Sequence, residues 1–228
     1  MSDAPALLNE VARGPMDLVR LAIQFNLHPE QDFHPSWLPA DWPLAYRATQ
    51  SYGPAAQALL GDYLRRWGAL DQFVEFNFDS RFRRLGLLDS DSLRQLAAYC
   101  GLCAHKSLFD VASTAPHLHR FARRLDPDAA EFVMSRVPTL TGVALNSRPV
   151  RAHPHGTGSL MMDRGYRILL GVLAVEGDAL LGRVLRKLPR RVAALKVPPF
   201  KSAQLSQLSE LIFMCLIPER SPQWDWLF

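Results

Sequence analysis

Cys100 and Cys103 are separated by two residues, a spacing that is typical of a zinc ligand pair or of a redox disulfide, and His117 and His119 follow. The surrounding pattern favours a structural role for these cysteines. Both cysteines lie on the apolar stripe of a predicted helix, where a thiol behaves as a small buried hydrophobe. The two histidines have HxH spacing instead of HxxxH, no strand pattern precedes the cysteines, and Ala104 stands where haem attachment needs histidine. We therefore expect no metal and no cofactor here, although a metal or redox protein stays as the least favoured alternative.

Other motifs that could carry chemistry are weak. His153 and His155 flank a proline, but no carboxylate or thiol lies near them in sequence, so we expect solvated side chains. The chain contains no phosphate-binding GxGxxG or GxxxxGK[ST] loop, no GxSxG turn and no HExxH pair. These motifs therefore provide no candidate catalytic residues.

A basic stretch carries more information. No aspartate or glutamate occurs between Asp178 and Glu210, and four cations in this interval follow the i, i+3, i+4, i+7 spacing of one helix face. The spacing also suits the solvated face of an amphipathic helix or cations near a helix C-terminus. Because the charge continues past the helix, we predict a surface for an acidic partner, formed by Arg183, Arg186, Lys187, Arg190 and Arg191.

Tryptophans mark two further segments. The region Asn26 to Pro43 contains four prolines and several aromatic residues, which predicts an irregular connection. We predict that Trp37 and Leu38 contact a second partner, the alternative being that Trp37 is a buried loop anchor. The C-terminal segment Trp224 to Phe228 is interpreted as a docked tail, with a protruding anchor as the alternative.

Composition defines the fold class. The 228 residues are 48% hydrophobic and 21% charged, and they include 36 leucines but only 4 isoleucines and 5 threonines. Side chains without a branch at Cβ favour helices, so we predict a compact all-α domain with irregular loops rich in proline and aromatic residues. Three cysteines indicate a reducing compartment. The net charge of +4 is uneven: residues 1 to 114 carry 10 basic and 13 acidic side chains, and residues 115 to 228 carry 16 and 9.

Apolar periodicity predicts the helices. They run over 15–25, 54–67, 91–104, 160–176, 178–188 and 202–217, and a further one begins at 126–128. Between Pro138 and Gly158 the pattern breaks, which predicts a connection or a short irregular hairpin. We expect a single helical domain over 1–228, with 138–158 as a candidate subdomain boundary.

Three collinear segments resemble a known family. Phe25-Asn-Leu-His-Pro29 with Phe33-His-Pro-Ser-Trp-Leu-Pro39 is similar to the N-terminal region of the SctK/YscK family of bacterial type III secretion systems. The stretch from Leu93 through Gly101-Leu-Cys-Ala-His105 resembles the central helix of that family, and Arg183-Val-Leu-Arg-Lys-Leu-Pro189 resembles its basic C-terminal segment.

The resemblance implies a helical cytoplasmic adaptor without catalysis or cofactor. Such a protein belongs to the sorting platform and links the cytoplasmic domain of the inner-membrane ring protein, of SctD type, to the SctQ-type pod protein. It would meet the membrane only indirectly, through the ring, and would bind no nucleic acid. The pI near 9.2 keeps a basic helical nucleic-acid-binding module as the alternative.

Overall fold

A computed structural model describes residues 16–38, 40, 53–67, 70, 74–143 and 146–228. In these ranges every regular element is helical and none is a strand, which confirms the predicted all-α class. The α-helices, numbered in chain order, are α1 Met16–Leu27, α2 Pro54–Trp67, α3 Arg81–Arg84, α4 Ser90–Cys103, α5 Ala115–Leu125, α6 Ala129–Ser135, α7 Arg148–Ala152, α8 Thr157–Ala174, α9 Asp178–Lys187, α10 Ser202–Glu210 and α11 Ile217–Arg220. Five predicted positions lie outside the described residues: Pro15, Pro39, Trp42, Pro43 and Gly68.

Short tight turns of 3-10 helix connect several of these helices. Two of them, Pro29–Gln31 and Pro35–Trp37, make up much of the proline-rich connection, which is irregular as predicted. Each begins with its proline, whose fixed φ suits the first helical position. The predicted helix over 202–217 is interrupted: α10 continues into a π-helical segment, Leu211–Leu216, before α11. Pro218 has no amide hydrogen and cannot continue the regular α-helical ladder at this point.

The hairpin proposed between 138 and 158 is wrong. Within this interval the described residues contain α7, a 3-10 turn at Pro154–Gly156 and the start of α8, and no strand. Pro149 lies in the first turn of α7, where a proline starts a helix instead of breaking it. The prolines and glycines of this segment therefore separate helices.

Helix α5 was not predicted from the sequence. This helix has Pro116 in its first turn and buries Leu118 and Ala122 on one side. Its charged residues, Arg120, Arg123 and Arg124, are exposed.

The chain divides into two compact units. The first comprises the described residues of Met1–Ser90 together with Leu173–Ala194 and Leu227. In it, Phe25 of α1 meets Phe78 edge to face with ring centroids 5.7 Å apart, and Leu180 of α9 packs against Gly86.

The second unit comprises Asp91–Val172, Leu195–Trp226 and Phe228, so the segment 138–158 lies within it. Its centre is α4, in which ten residues are buried. Gly165 of α8 lies so close to the backbone of Ala97 that a Cβ atom there would overlap the Ala97 carbonyl, and Gly101 meets the carbonyl of Met161 in the same way. These two glycines allow the backbones of α4 and α8 to touch.

The C-terminal residues are docked, as the sequence indicated. Trp224 Nε1 donates a hydrogen bond to Ser92 Oγ at 2.9 Å, Leu227 is buried, and the ring of Phe228 lies 5.1 Å from that of Phe213. Trp226 stays 52% exposed. No helix of the described ranges has the length and apolar character needed to cross a membrane.

Candidate functional site

The first unit brings the two predicted contact segments together. The indole Nε1 of Trp37 donates hydrogen bonds to the carbonyls of Leu188 at 2.8 Å and Leu185 at 3.1 Å, at the C-terminal end of α9. The last carbonyls of a helix have no partner within the helix, so Trp37 satisfies groups that would otherwise need water. The tryptophan of the proline-rich connection is therefore a C-terminal cap of the basic helix.

Two arginines of the basic stretch stack on the same indole. The guanidinium carbon of Arg186 lies 4.1 Å from the Trp37 ring centroid, and that of Arg190 lies 5.8 Å from it. Both distances are within the range of cation–π attraction. Burial and then the charge of Arg190 lower the pKa of Arg186.

Arg183 serves the interior of this unit. It is 4% exposed, and its two terminal nitrogens donate to the carbonyls of Phe25 at 2.7 Å and Leu70 at 3.0 Å. A buried guanidinium carries many donors, and these two carbonyls receive part of them. Arg183 therefore stabilises the unit from within.

Lys187 has a similar role. It is 6% exposed, and its Nζ donates to Asp32 Oδ2 at 3.0 Å and to the carbonyl of Leu88 at 2.9 Å. The ammonium also lies 5.2 Å from the ring centroid of Phe25. These contacts join α9 to the proline-rich connection and to the segment before α4.

A chain of hydrogen bonds fixes the end of the basic stretch. The amide of Arg190 donates to Ser36 Oγ at 2.8 Å, and Ser36 Oγ lies 2.8 Å from His34 Nδ1. The amide of His34 donates to the carbonyl of Arg186 at 2.9 Å. These hydrogen bonds hold the backbone at this point, and Arg190 and Arg191 are exposed there.

The structure thus divides the predicted partner-binding residues into two groups. The prediction that Trp37 and Leu38 contact a partner is wrong, because these residues are only 8% and 7% exposed. Leu38 packs on Leu60 and Leu64. Arg183 and Lys187 are equally inaccessible, because both donate to buried carbonyls. The sequence could not show this, since cations on a solvated helix face and cations that reach buried carbonyls have the same spacing. The exposed members are Arg190 and Arg191, and Arg186 is half-buried against Trp37, between the two groups.

The cysteines lie in the core of the second unit. Burial raises the pKa of the Cys100 thiol to about 12 and raises the pKa of Cys103 well above its ordinary value. His119 packs edge to face on Phe109 with ring centroids 5.1 Å apart, and His117 meets His155 in the same way at 5.0 Å. Within the described residues no three His, Cys, Asp or Glu side chains converge as a metal site would require.

The surface that the sequence reading missed is the exposed side of α5. Arg120, Arg123 and Arg124 have no ion-pair partner among the described residues, and no acidic residue occurs between Asp110 and Asp126. The signal for this helix was the spacing of Leu118, Ala122 and Leu125 behind a first-turn proline, with basic residues between them.

A groove of about 490 Å³ lies beside this helix, between α5 and α6. The lining residues are His119, Arg123, Pro127, Asp128, Ala130, Glu131 and Met134. Asp128 is engaged by Arg220, whose two terminal nitrogens each donate to its carboxylate at 2.9 Å. The Arg220 guanidinium in turn lies 4.0 Å from the ring centroid of Phe132.

The described residues of both units therefore form a helical protein with charged surfaces. Comparisons with models of protein families, with curated proteins and with solved structures find no match for this chain.

Proposed function

We propose that the protein is a cytoplasmic adaptor of a bacterial type III secretion sorting platform, peripheral to the inner membrane. Its proposed task is to link the cytoplasmic domain of the SctD-type ring protein to the SctQ-type pod protein.

The observation that carries this proposal is the contact between two segments that resemble the SctK/YscK family. Phe25 to Trp37 and Arg183 to Leu188 lie about 150 residues apart in sequence, yet Trp37 binds the Leu188 carbonyl across a separation of 151 residues. Arg183 returns to the Phe25 carbonyl and Lys187 to Asp32. Both segments resemble the same family, and each depends on the other in the fold. This supports the resemblance better than short matches that do not contact each other.

The third resembling segment has a structural role in the second unit. Gly101 permits close packing of α4 against α8, and Cys100, Cys103 and His105 are buried around it. This arrangement supports an interpretation of the segment as a packing motif without chemistry.

Only part of the predicted basic surface is available to a partner. Arg190 and Arg191 are exposed at the held end of the stretch, so we propose them as the contact for one acidic partner. Desolvated arginine is a frequent source of binding energy, and salt is expected to weaken such a contact.

The experiment is a pull-down with the tagged full chain and with the purified ring-protein domain and pod protein of the same bacterium. We expect the chain to recover both partners together, and we expect Arg190→Glu/Arg191→Glu to weaken one of them about tenfold. The charge-matched control is Arg20→Glu/Arg66→Glu, which reverses two arginines of the same unit that are 75% and 80% exposed. Recovery of neither partner by the wild-type chain contradicts the adaptor function, and equal losses in both variants contradict the role of Arg190 and Arg191.

A further inference from the structure

Three exposed arginines give α5 a concentrated positive charge. Arg120 and Arg123 are one helical turn apart, as are Arg120 and Arg124, and none has a carboxylate partner among the described residues. Like charges at these spacings repel each other in the isolated protein. A partner that supplies negative charge relieves this repulsion.

The groove beside α5 adds an apolar contact to this charge. Pro127, Ala130 and Met134 supply apolar atoms, and Arg123 borders the groove on the α5 side. The volume of about 490 Å³ is within the range that accepts bound groups. Cationic residues beside an apolar groove fit a segment with acidic and apolar residues on adjacent faces.

The groove is also held in shape by its own unit. Arg220 binds Asp128 through two hydrogen bonds and stacks on Phe132, which fixes the start of α6. Burial, first, and the hydrogen bond from Tyr99 to Asp126, second, raise the pKa of Tyr99 well above its ordinary value. Tyr99 thus stays a neutral donor that holds the turn between α5 and α6.

We propose that the α5–α6 groove docks an acidic amphipathic helix of a partner protein. The acidic residues of that helix would lie along Arg120, Arg123 and Arg124, and its apolar residues would enter the groove over Ala130 and Met134. The inference rests on the adaptor function proposed above: an adaptor needs two contact surfaces, and burial removes Trp37 and Leu38 from the second.

A protein partner fits this surface better than a nucleic acid. Glu131 borders the groove on the α6 side, and a helix that is acidic on one face only can keep its carboxylates away from it, whereas a nucleic acid carries a negative charge at every phosphate. Recognition of single strands also uses aromatic side chains on which bases stack, and the exposed residues of α5 include no phenylalanine, tyrosine or tryptophan.

The test uses a defined probe, a fluorescent helical peptide with glutamates on one face and leucines on the other. Fluorescence anisotropy measures its affinity for the full chain at low and at high salt. We expect Arg120→Glu/Arg123→Glu to weaken binding about tenfold or more, and Met134→Glu to weaken it as well. The charge-matched control, Arg148→Glu/Arg151→Glu, reverses two exposed arginines of α7 in the same unit and is expected to bind as the wild type does. Thermal melts confirm that each variant is folded.

The outcomes separate the groove from the adaptor function. The proposal is overturned if the wild type does not bind the peptide, if the α5 variant binds it equally well, or if an oligonucleotide binds α5 more tightly than the peptide does. A pull-down of the ring and pod proteins is run in parallel. If the wild type binds the peptide through α5 but recovers neither protein, the adaptor function fails and the docking groove stands. If the wild type recovers both proteins and both binding assays are unaffected by the α5 variant, the groove fails and the adaptor function stands.

Discussion

The guanidinium of Arg186 lies 4.1 Å from the ring centroid of Trp37. The indole nitrogen of the same tryptophan donates hydrogen bonds to the carbonyls of Leu185 and Leu188, at the C-terminal end of α9. One tryptophan thereby caps α9 and shields one of its cations. The arrangement makes the basic stretch and the proline-rich connection a single structural unit.

Replacing Trp37 with alanine removes a buried aromatic side chain and its two hydrogen bonds. We expect Trp37→Ala to lower the free energy of unfolding by about 3–5 kcal/mol, as for other buried aromatic residues. Urea denaturation monitored by circular dichroism measures this change. Trp226→Ala is the control, because Trp226 is 52% exposed and its removal should change stability by less than about 0.5 kcal/mol. Equal effects of the two substitutions would contradict the role of Trp37 as an anchor.

Neutral replacement of two cations three positions apart on the basic stretch should change stability by very different amounts. Lys187→Met leaves Asp32 and the Leu88 carbonyl without their partner, and we expect a loss of about 2–3 kcal/mol. Arg190→Met affects an exposed side chain, and we expect a change within about 0.5 kcal/mol. Denaturation midpoints at fixed pH test the difference. If Arg190→Met is the more destabilising variant, the division of this stretch into buried and exposed cations is wrong.

The basic stretch shows how far the sequence could predict the site. Its periodicity predicted α9 to within one residue, because helix formation depends on neighbours along the chain. The fate of Arg183 depends on carbonyls of Phe25 and Leu70, which are 158 and 113 residues away. No local pattern distinguishes a cation that faces water from one that finds such acceptors.

The missed helix has a different cause. The apolar face of α5 is narrow, with Leu118 and Ala122 buried, and its remaining positions are mostly polar. Apolar and basic positions alternate in it with a clear helical period, but its overall hydrophobicity is low, so the segment does not stand out as an apolar helix. The helix was therefore harder to predict than α4, whose apolar stripe is broad.

Gly165→Ala tests the contact between α4 and α8. The added methyl group would overlap the Ala97 carbonyl, which belongs to helix backbone and cannot rotate away. We expect a loss of more than about 3 kcal/mol, at or above the usual range for overpacking. Gly156→Ala is the control, because no atom lies within 4 Å of the position of its Cβ. Thermal unfolding of both variants provides the comparison, and a wild-type midpoint for Gly165→Ala would rule out the close approach.

The three thiols should react at different rates in the folded protein. The thiolate is the reactive form, and burial raises the pKa of Cys100 to about 12 and that of Cys103 well above its ordinary value. Cys215 is only partly buried, so we expect it to react first with an aromatic disulfide reagent at pH 8. Cys215→Ser should abolish the fast phase, and all remaining thiols should react once the protein is unfolded. Fast reaction of Cys100 and Cys103 in the folded variant would revive the redox alternative.

His105 should make stability depend on pH in a defined window. Burial, followed by the charge of Arg164, lowers the pKa of His105 to about 4, whereas an unfolded histidine titrates near 6.5. Between these values the unfolded chain binds a proton that the folded chain does not, so stability falls as the pH falls, by up to about 1.4 kcal/mol per pH unit. The stability from this histidine is complete above about pH 6.5 and is lost progressively towards pH 4.

His105→Gln removes the titrating group, so the stability of this variant should fall less steeply than that of the wild type when it is measured by urea denaturation from pH 7 to pH 4. His153→Gln replaces an exposed histidine and should keep the wild-type slope. Identical slopes for all three proteins would mean that His105 is protonated in the folded state as readily as in the unfolded one.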